Sequence, residues 1–362
     1  MCRSACIIWD EAIMQHRHVF DAVNRLLKDV RKSPHLFGGI TVIFGGDFQQ
    51  ILPVILKGSR AQIVNSCLHY SPIWEDITIL KLTQNMRLRD DPREREYAQW
   101  LLDVGHGKHT QPNGDICLPD HFKCPENSVD SLIQQIYPDV SQPQDDQYFR
   151  DRTILSARNT DVDNVNHEIL TKIPAEEIIF QSSDSVVEDS MDRGEEYMYP
   201  VEYLNSINIS GVPLSKLKLK IGAPVMILRN MDPQSGVCNG TRGILTRTSS
   251  KVIEVRILTG PTAGSTFFIP RLNITPTDEF LPFKLCHRQF PVRLSFAMSI
   301  NKSQGQSVKW VGCDFRSPVF VHGQFYVAVS RVTSVDNIKA IWSPDSEQPI
   351  TKNIVYPEVL IT

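Results

Sequence analysis

The 362-residue chain contains no run of about 18 apolar residues, so no segment reads as a membrane-spanning helix, and its opening apolar stretch is too short for a secretory signal. Its cysteines stand singly, at Cys2, Cys6, Cys67, Cys117, Cys124, Cys238, Cys286 and Cys313. Without close pairs they exclude a disulfide framework and suit free thiols in a reducing compartment. Cys117, His121 and Cys124 have neither a fourth ligand nor a second paired spacing, and read as loop residues rather than a zinc site. An excess of either charge is missing as well. The 38 Lys and Arg against 41 Asp and Glu leave a net charge of −3, so the bulk field offers nucleic acid nothing and any such binding must come from a local groove. No internal repeat or low-complexity tract occurs. What is present, 41% hydrophobic and 22% charged residues, is an ordinary globular composition with enough chain to bury a sizeable core in roughly two to three domains.

The chemistry begins at Cys6-Ile7-Ile8-Trp9, an apolar run that stops at Asp10-Glu11. Such a run fits a strand buried on both faces of a parallel sheet, whose carboxyl edge is where ligands gather. Phosphate transfer needs one acid to hold Mg²⁺, usually through water, and another to orient and deprotonate the attacking water. Asp10 is the candidate for the metal and Glu11 for the base, although an acidic pair after a strand also serves as a turn or helix cap. Val19, Val23, Leu26, Leu27 and Val30 recur at helical spacing, which predicts a helix over 17–30. A second strand, Ile40 to Phe44, delivers Gly45-Gly46-Asp47-Phe48-Gln49-Gln50. There Asp47 reaches toward a metal-bound water, and one glutamine toward a terminal phosphate or a water. A further helix is expected over 60–68. A third strand over 77–82 leads into Thr83-Gln84-Asn85-Met86-Arg87, where Arg87 is the cation suited to charge building on a phosphate.

From Gly105 to Asp146 glycine, proline, asparagine and glutamine become frequent, as at a domain seam. A second α/β pattern starts near Tyr148, with a strand over 153–156 and a helix over 161–170. Cys238-Asn239-Gly240-Thr241-Arg242-Gly243 is a hairpin signal between strands over 225–228 and 244–247. With strands over 252–258 and 266–269, residues 236–283 are expected to form a small β-barrel. Its Arg242, Arg247, Lys251 and Arg256 either line a phosphate-tracking surface or are solvated strand faces. The parent domain resumes at Phe290 and presents the polar loop Asn301-Lys302-Ser303-Gln304-Gly305-Gln306, whose Lys302, Ser303 and Gln304 can hold a strand backbone. Tyr326-Val327-Ala328-Val329-Ser330-Arg331 then brings a second cation, Arg331, from the other domain.

In this order the segments Ile8–Ala12, Gly45–Val54, Leu82–Arg87, Ser299–Gln306 and Tyr326–Arg331 closely resemble helicase motifs two to six of the petite-integration-frequency (Pif) DNA helicases. The wording of Leu219 to Leu228 and of Asn239-Gly240-Thr241-Arg242 is most similar to the branch carried by Helitron rolling-circle transposons. The resemblance covers nearly the whole chain. It implies an α/β fold of two RecA-like domains with parallel sheets: an incomplete first domain, 1–138, a second, 148–235 with 290–362, and the inserted β-barrel, 236–283.

Carried over residue by residue, the resemblance puts the magnesium ligand on Asp10, the general base on Glu11, the phosphate-sensing glutamine on Gln50 and arginine fingers on Arg87 and Arg331. Asp47, Gly305 and Gln306 fall on the nucleotide side, and Asn301, Lys302, Ser303 and Gln304 on single-stranded DNA. ATP with Mg²⁺ is the implied cofactor, and single-stranded DNA and duplex junctions the implied partners, with no membrane and the oligomeric state open. The implied activity is ATP-driven 5′-to-3′ translocation and unwinding, in DNA repair, recombination and telomere maintenance, in the nucleus or mitochondrion. One departure stands out. The family's Gly-x-x-x-x-Gly-Lys-Ser/Thr loop is found nowhere in the chain, and only nine residues precede Asp10. The expectation is a fragment that binds ATP poorly and does not hydrolyse it. Alternatives are an inactive strand- or partner-binding transposon remnant and a metal-dependent nuclease using Asp10, Glu11 and Asp47. The nuclease leaves Arg87, Arg331 and the Lys302 loop without a role.

Overall fold

A computed structural model describes residues 4–86, 91–187, 199–207, 209, 211–276 and 281–360. The chain falls into two compact units, residues 1–128 with 303–362 and residues 129–302.

In the first unit the strand Cys6–Trp9 pairs in parallel with Thr41–Phe44, Trp9 opposite Phe44. The connecting helix, Arg17–Arg31, buries Phe20 and Leu27, which with Val23 lie three and four residues apart on one face. That face packs on Ile7, Trp9, Val42 and Phe44. The helix stops at Lys32, which turns into the left-handed region at φ 49°. The alternate strand residues are not covered: Ile8 is 77% and Ile43 52% exposed. The expected burial on both faces is therefore corrected. Alternation with period two sends Ile7 and Trp9 to the helix and Ile8 to the other side. The expected strand over 77–82 is also absent. Leu80 and Leu82 are 87% and 101% exposed, and among the described residues no strand pairs with this segment, so its β-branched run has no ladder to hold it. A second parallel pair, Trp310–Phe315 with Ile338–Trp342, and an antiparallel pair, Ile350–Lys352 with Asp115–Cys117, complete the unit's strands among the described residues.

Residues 303–362 fall with 1–128 in the first compact unit. Hydrogen bonds within that unit tie the two segments together. The Tyr97 hydroxyl donates to the Val329 carbonyl at 2.7 Å, Asn353 Nδ2 to Val104 O at 3.0 Å, and Arg60 pairs with Glu358 at 2.7 Å.

In the second unit the strand Arg152–Ser156 runs parallel to Ala297–Ser299. Helix Asn159–Lys172 packs beside them, its buried Asn166 giving Nδ2 to Ala297 O at 3.0 Å and taking Ala297 N–H at 2.8 Å. The remaining strands are antiparallel. Thr266–Pro270, Val252–Ile257, Arg242–Thr248, Pro224–Ile227 and Val292–Leu294 form one sheet in that order. Leu272–Ile274, Leu285–Gln289 and Ser183–Val186 form a second, and Ile178–Gln181 pairs with Lys216–Leu219. The β module therefore extends well beyond the expected 236–283. The reason is its core: Leu245, Ile253 and Val255 are covered by Phe180, Leu217, Leu219, Val225, Ile227 and Phe290, all outside that span. The Asn239-Gly240 turn joins the expected strands, Met226 opposite Arg242, with Gly240 at φ +94°. A Cβ on Gly243 would meet Val255 Cγ1 at 2.3 Å, so only glycine admits the approach of the neighbouring strand.

Candidate nucleotide and strand site

Both acidic loops of the first unit leave the carboxyl ends of its first parallel pair. Gly45 N–H donates to Trp9 O and Ala12 N–H to Gly45 O, each at 2.9 Å, which locks the two loops together. Glu11 takes up left-handed backbone, φ 49° and ψ 37°, and its N–H donates to Asp10 Oδ1 at 3.0 Å. A non-glycine residue held there is uncommon, and such strain clusters at functional positions. Gly45 is needed for closeness, since a Cβ on it would lie 3.1 Å from Asp10 Oδ1.

Asp47 organises its own loop. Its Oδ1 accepts Gln49 N–H at 2.9 Å, and its Oδ2 accepts the Tyr326 hydroxyl at 3.0 Å and Gln50 Nε2 at 3.4 Å. Gln49 is buried and its Nε2 meets His106 Nδ1 at 2.8 Å, so it is a packing residue. Gln50 is the glutamine left for chemistry. Among the described residues its buried Oε1 has no hydrogen-bond partner. Gln304 Nε2 lies 3.4 Å from Glu11 Oε2, and its own Oε1 is likewise buried and unpartnered. Two orphaned acceptors beside carboxylates suit an incoming donor such as water. Gly305, at φ +76°, passes so close that a Cβ on it would stand 3.7 Å from Glu11 Oε1.

The loop that carries Gln304 is held from within. Arg331 donates from Nε to Val327 O at 2.9 Å, from Nη1 to Gln306 O at 3.1 Å and Ser303 O at 3.3 Å, and from Nη2 to Ser330 Oγ at 3.0 Å. Arg331 lies in the compact unit that also holds Asp10 and Glu11. Gln304, expected on the strand side, sits at the proposed base. Arg87 lies outside the described residues.

In the second unit, Asn159, Met226, Arg293, Ser299 and Lys302 line a shallow pocket at the carboxyl ends of Arg152–Ser156 and Ala297–Ser299. Arg293 holds Asp163 with two guanidinium nitrogens, one at 2.8 Å. Burial, and then the neighbouring Arg293, push the Lys302 amine below its usual range, against the pull of Asp163. Asn301 is half-buried beside it in sequence.

Three residues that carried no role in the sequence complete the first-unit site. Tyr326 fixes Asp47. His322 accepts Tyr356 N–H at Nδ1 and turns Nε2 to Phe48 O, both at 2.8 Å. Gly323, at φ +74°, lets the chain touch the backbone of Gln49 and Gln50. Tyr326 stood within a quoted motif; the other two have only a His-Gly dipeptide as their signal.

Residues 1–115 match the family described as PIF1-like helicase, and residues 202–247 that described as DNA helicase Pif1, 2B domain. An ATP-dependent DNA helicase Pif1 of Bdellovibrio bacteriovorus is 28% identical over 98% of this chain and 69% of its own. ATP-dependent DNA helicase PIF1 of Homo sapiens is also 28% identical, over 92% of this chain but only 46% of its own length. The chain thus spans less than half of the vertebrate relatives it matches. A Bacteroides Pif1 helicase, solved in complex with ADP-AlF3 and ssDNA, covers 99% of this chain and 73% of its own at a TM-score of 0.64 and 22% identity. The Candida albicans Pif1 helicase covers 93% and 72%, at 0.59 and 23%. These likenesses show an α/β fold with parallel strands, and two family matches in chain order, with relatives aligned over 92–98% of this chain, make it similar to the Pif1-like helicases.

Proposed function

We propose that this chain carries the strand-coupled ATP-hydrolysis elements of a DNA helicase that moves 5′ to 3′ along a single strand and opens duplex. The observation that carries the reading is the meeting of Glu11 with Gln304, 293 positions along the chain, and with the neighbouring Gly305. A base that touches the loop leading into Lys302 ties the state of a phosphate to the hold on a strand. Glu11 orients the attacking water and takes its proton, and the free Gln50 Oε1 accepts from the same water. Among the described residues no three His, Cys, Asp or Glu side chains converge to hold a bare cation. Asp10 would hold Mg²⁺ arriving with the nucleotide phosphates, and the ion would supply charge neutralisation there. Arg331 stiffens the Ser303–Gln306 turn, and Asn301 and Lys302 hold phosphates of the strand. Arg87 is assigned the second cation by its motif alone. The Helitron-like wording supports a transposon-derived setting, with recombination in the nucleus as its process.

The test is unwinding of a 5′-tailed duplex by the protein expressed from its complete reading frame; Glu11→Gln is expected to abolish it with binding retained, and unwinding by that variant would overturn the assignment. The 362-residue chain itself holds no Gly-x-x-x-x-Gly-Lys-Ser/Thr sequence to cradle the phosphates. A DNA-stimulated phosphate-release assay on it is expected to stay at background. The lack of that loop equally favours a second reading, a strand-binding remnant without turnover.

A further inference from the structure

The structure dismantles the cationic surface expected from the sequence and supplies another. Of the four expected cations, Arg242 is buried at 1% exposure, Arg256 is paired with Asp146 at 2.6 Å, and Arg247 stands over Glu254 at 4.0 Å. Lys251 is exposed and has no ion pair among the described residues. The strand register brings different residues beside it. Arg288 is opposite Asn273 on one side and Ser183 on the other, all three exposed. Lys216 is opposite Gln181, both exposed, and Arg271 Nη1 donates to Gln181 O at 2.7 Å while its Nε donates to Ser250 O at 3.0 Å, next to Lys251. The result is a strip of four cations, Lys216, Lys251, Arg271 and Arg288, set among amides and hydroxyls with no carboxylate at the paired positions. Arg271 and Arg288 repel each other, and burial together with Arg288 lowers the Arg271 pKa. Among the described residues neither Arg271 nor Arg288 has an ion pair, and a like-charge pair on a rigid sheet is poised for an anion.

We propose that this strip binds the phosphate backbone of duplex DNA, at a site separate from the Lys302 loop. Its chemistry selects the duplex. Single-strand binding relies on exposed aromatic rings for base stacking, whereas the rings on which the strip packs, Phe180 and Phe290, are buried with Arg271 lying over Phe290 at 4.8 Å, and the exposed Phe268 of the adjoining strand stands opposite Glu254, a carboxylate that disfavours a phosphate backbone there. Cations, Asn273, Gln181 and Ser183 address phosphate oxygens without reading bases. The inference rests on the helicase reading above.

The experiment measures binding of the 362-residue chain to a short blunt duplex and to a single strand of the same sequence by fluorescence anisotropy across a salt series. The triple variant Lys216→Gln, Lys251→Gln, Arg288→Gln changes only exposed side chains and leaves Arg271 on its ring. Three lost phosphate contacts are expected to flatten the log K against log salt slope for duplex by about two to three, and to weaken duplex binding roughly ten- to hundredfold near 0.1 M salt. Single-strand binding is expected to hold. The single variant Arg288→Gln, expected to remove about one unit of slope, keeps the test decisive if the triple variant folds poorly. Unchanged duplex slope and affinity, or a loss confined to the single strand, overturns the strip alone. A wild-type chain that binds neither oligonucleotide removes the helicase reading and the strip together.

Discussion

At Gly323 the chain has no room for a side chain, since a Cβ there would lie 2.5–2.6 Å from backbone atoms of Gln49 and Gln50. Those are the residues that present the free Gln50 Oε1, so the glycine fixes where that acceptor sits. Gly323→Ala must shift backbone and hold alanine at φ +74°; it is expected to lower unfolding stability by roughly 2–3 kcal/mol, read by urea denaturation. His322 next to it carries a pH dependence of definite sign. Its Nδ1 accepts Tyr356 N–H, so the folded ring is neutral, and burial, its largest influence, depresses its pKa below the usual 6.5, with Asp47 and Glu358 opposing and Arg60 adding. The unfolded chain binds the proton more readily, so this contribution is complete above pH 6.5 and is lost as pH falls through the depressed folded pKa. Thermal unfolding from pH 7.5 to 5 is expected to show a falling Tm that His322→Gln flattens.

At the scale of elements, the β module is anchored to its parallel pair by a cation with no acidic partner among the described residues. Arg242 Nη2 donates to Phe149 O and Ser295 O at 3.0 Å and to Arg152 O at 3.2 Å. Burial lowers its pKa, yet a guanidinium stays charged, and the carbonyls it satisfies belong to the segments entering Arg152–Ser156 and Ala297–Ser299. Replacing it by leucine takes the guanidinium donor from the buried Phe149 and Ser295 carbonyls, while Arg152 O keeps the Tyr137 hydroxyl at 3.2 Å. Arg242→Leu is expected to destabilise by on the order of 3 kcal/mol in urea, whereas Arg247→Leu on the exposed side of the same strand is expected to change stability by less than about 0.5 kcal/mol. The sequence grouped these two arginines together; only the direction of each residue off its strand separates them.

For the whole molecule, the polar loops that serve the base come from residues hundreds of positions apart, while the sequence that would grip phosphates is not among these 362 residues. Millimolar ATP with Mg²⁺ is therefore expected to leave the Tm of the chain unmoved; a ligand present at a hundred times its Kd would add about 2.7 kcal/mol, and a shift of that size would contradict the expectation. Much of the architecture was legible. The helices Arg17–Arg31 and Asn159–Lys172, the strand Thr41–Phe44 and the Asn239-Gly240 turn announce themselves through periodicity and turn chemistry, which are local. The run over 77–82 did not become a strand because a strand needs a neighbour, and the β module outgrew its expected span because Phe180 and Phe290 join its core from outside it.

By itself the sequence determined which loops bear chemistry, through the order Asp10-Glu11, Gly45 to Gln50, Asn301 to Gln306 and Tyr326 to Arg331, because motif residues and their spacing are properties of the covalent chain. Only the tertiary structure decided which of them meet. It set Gln304 on Glu11, turned Arg331 to the carbonyls of its own loop and gathered Lys216, Arg271 and Arg288 on one face. Those outcomes depend on strand register and long-range packing, where a shift of one residue moves a side chain to the opposite face.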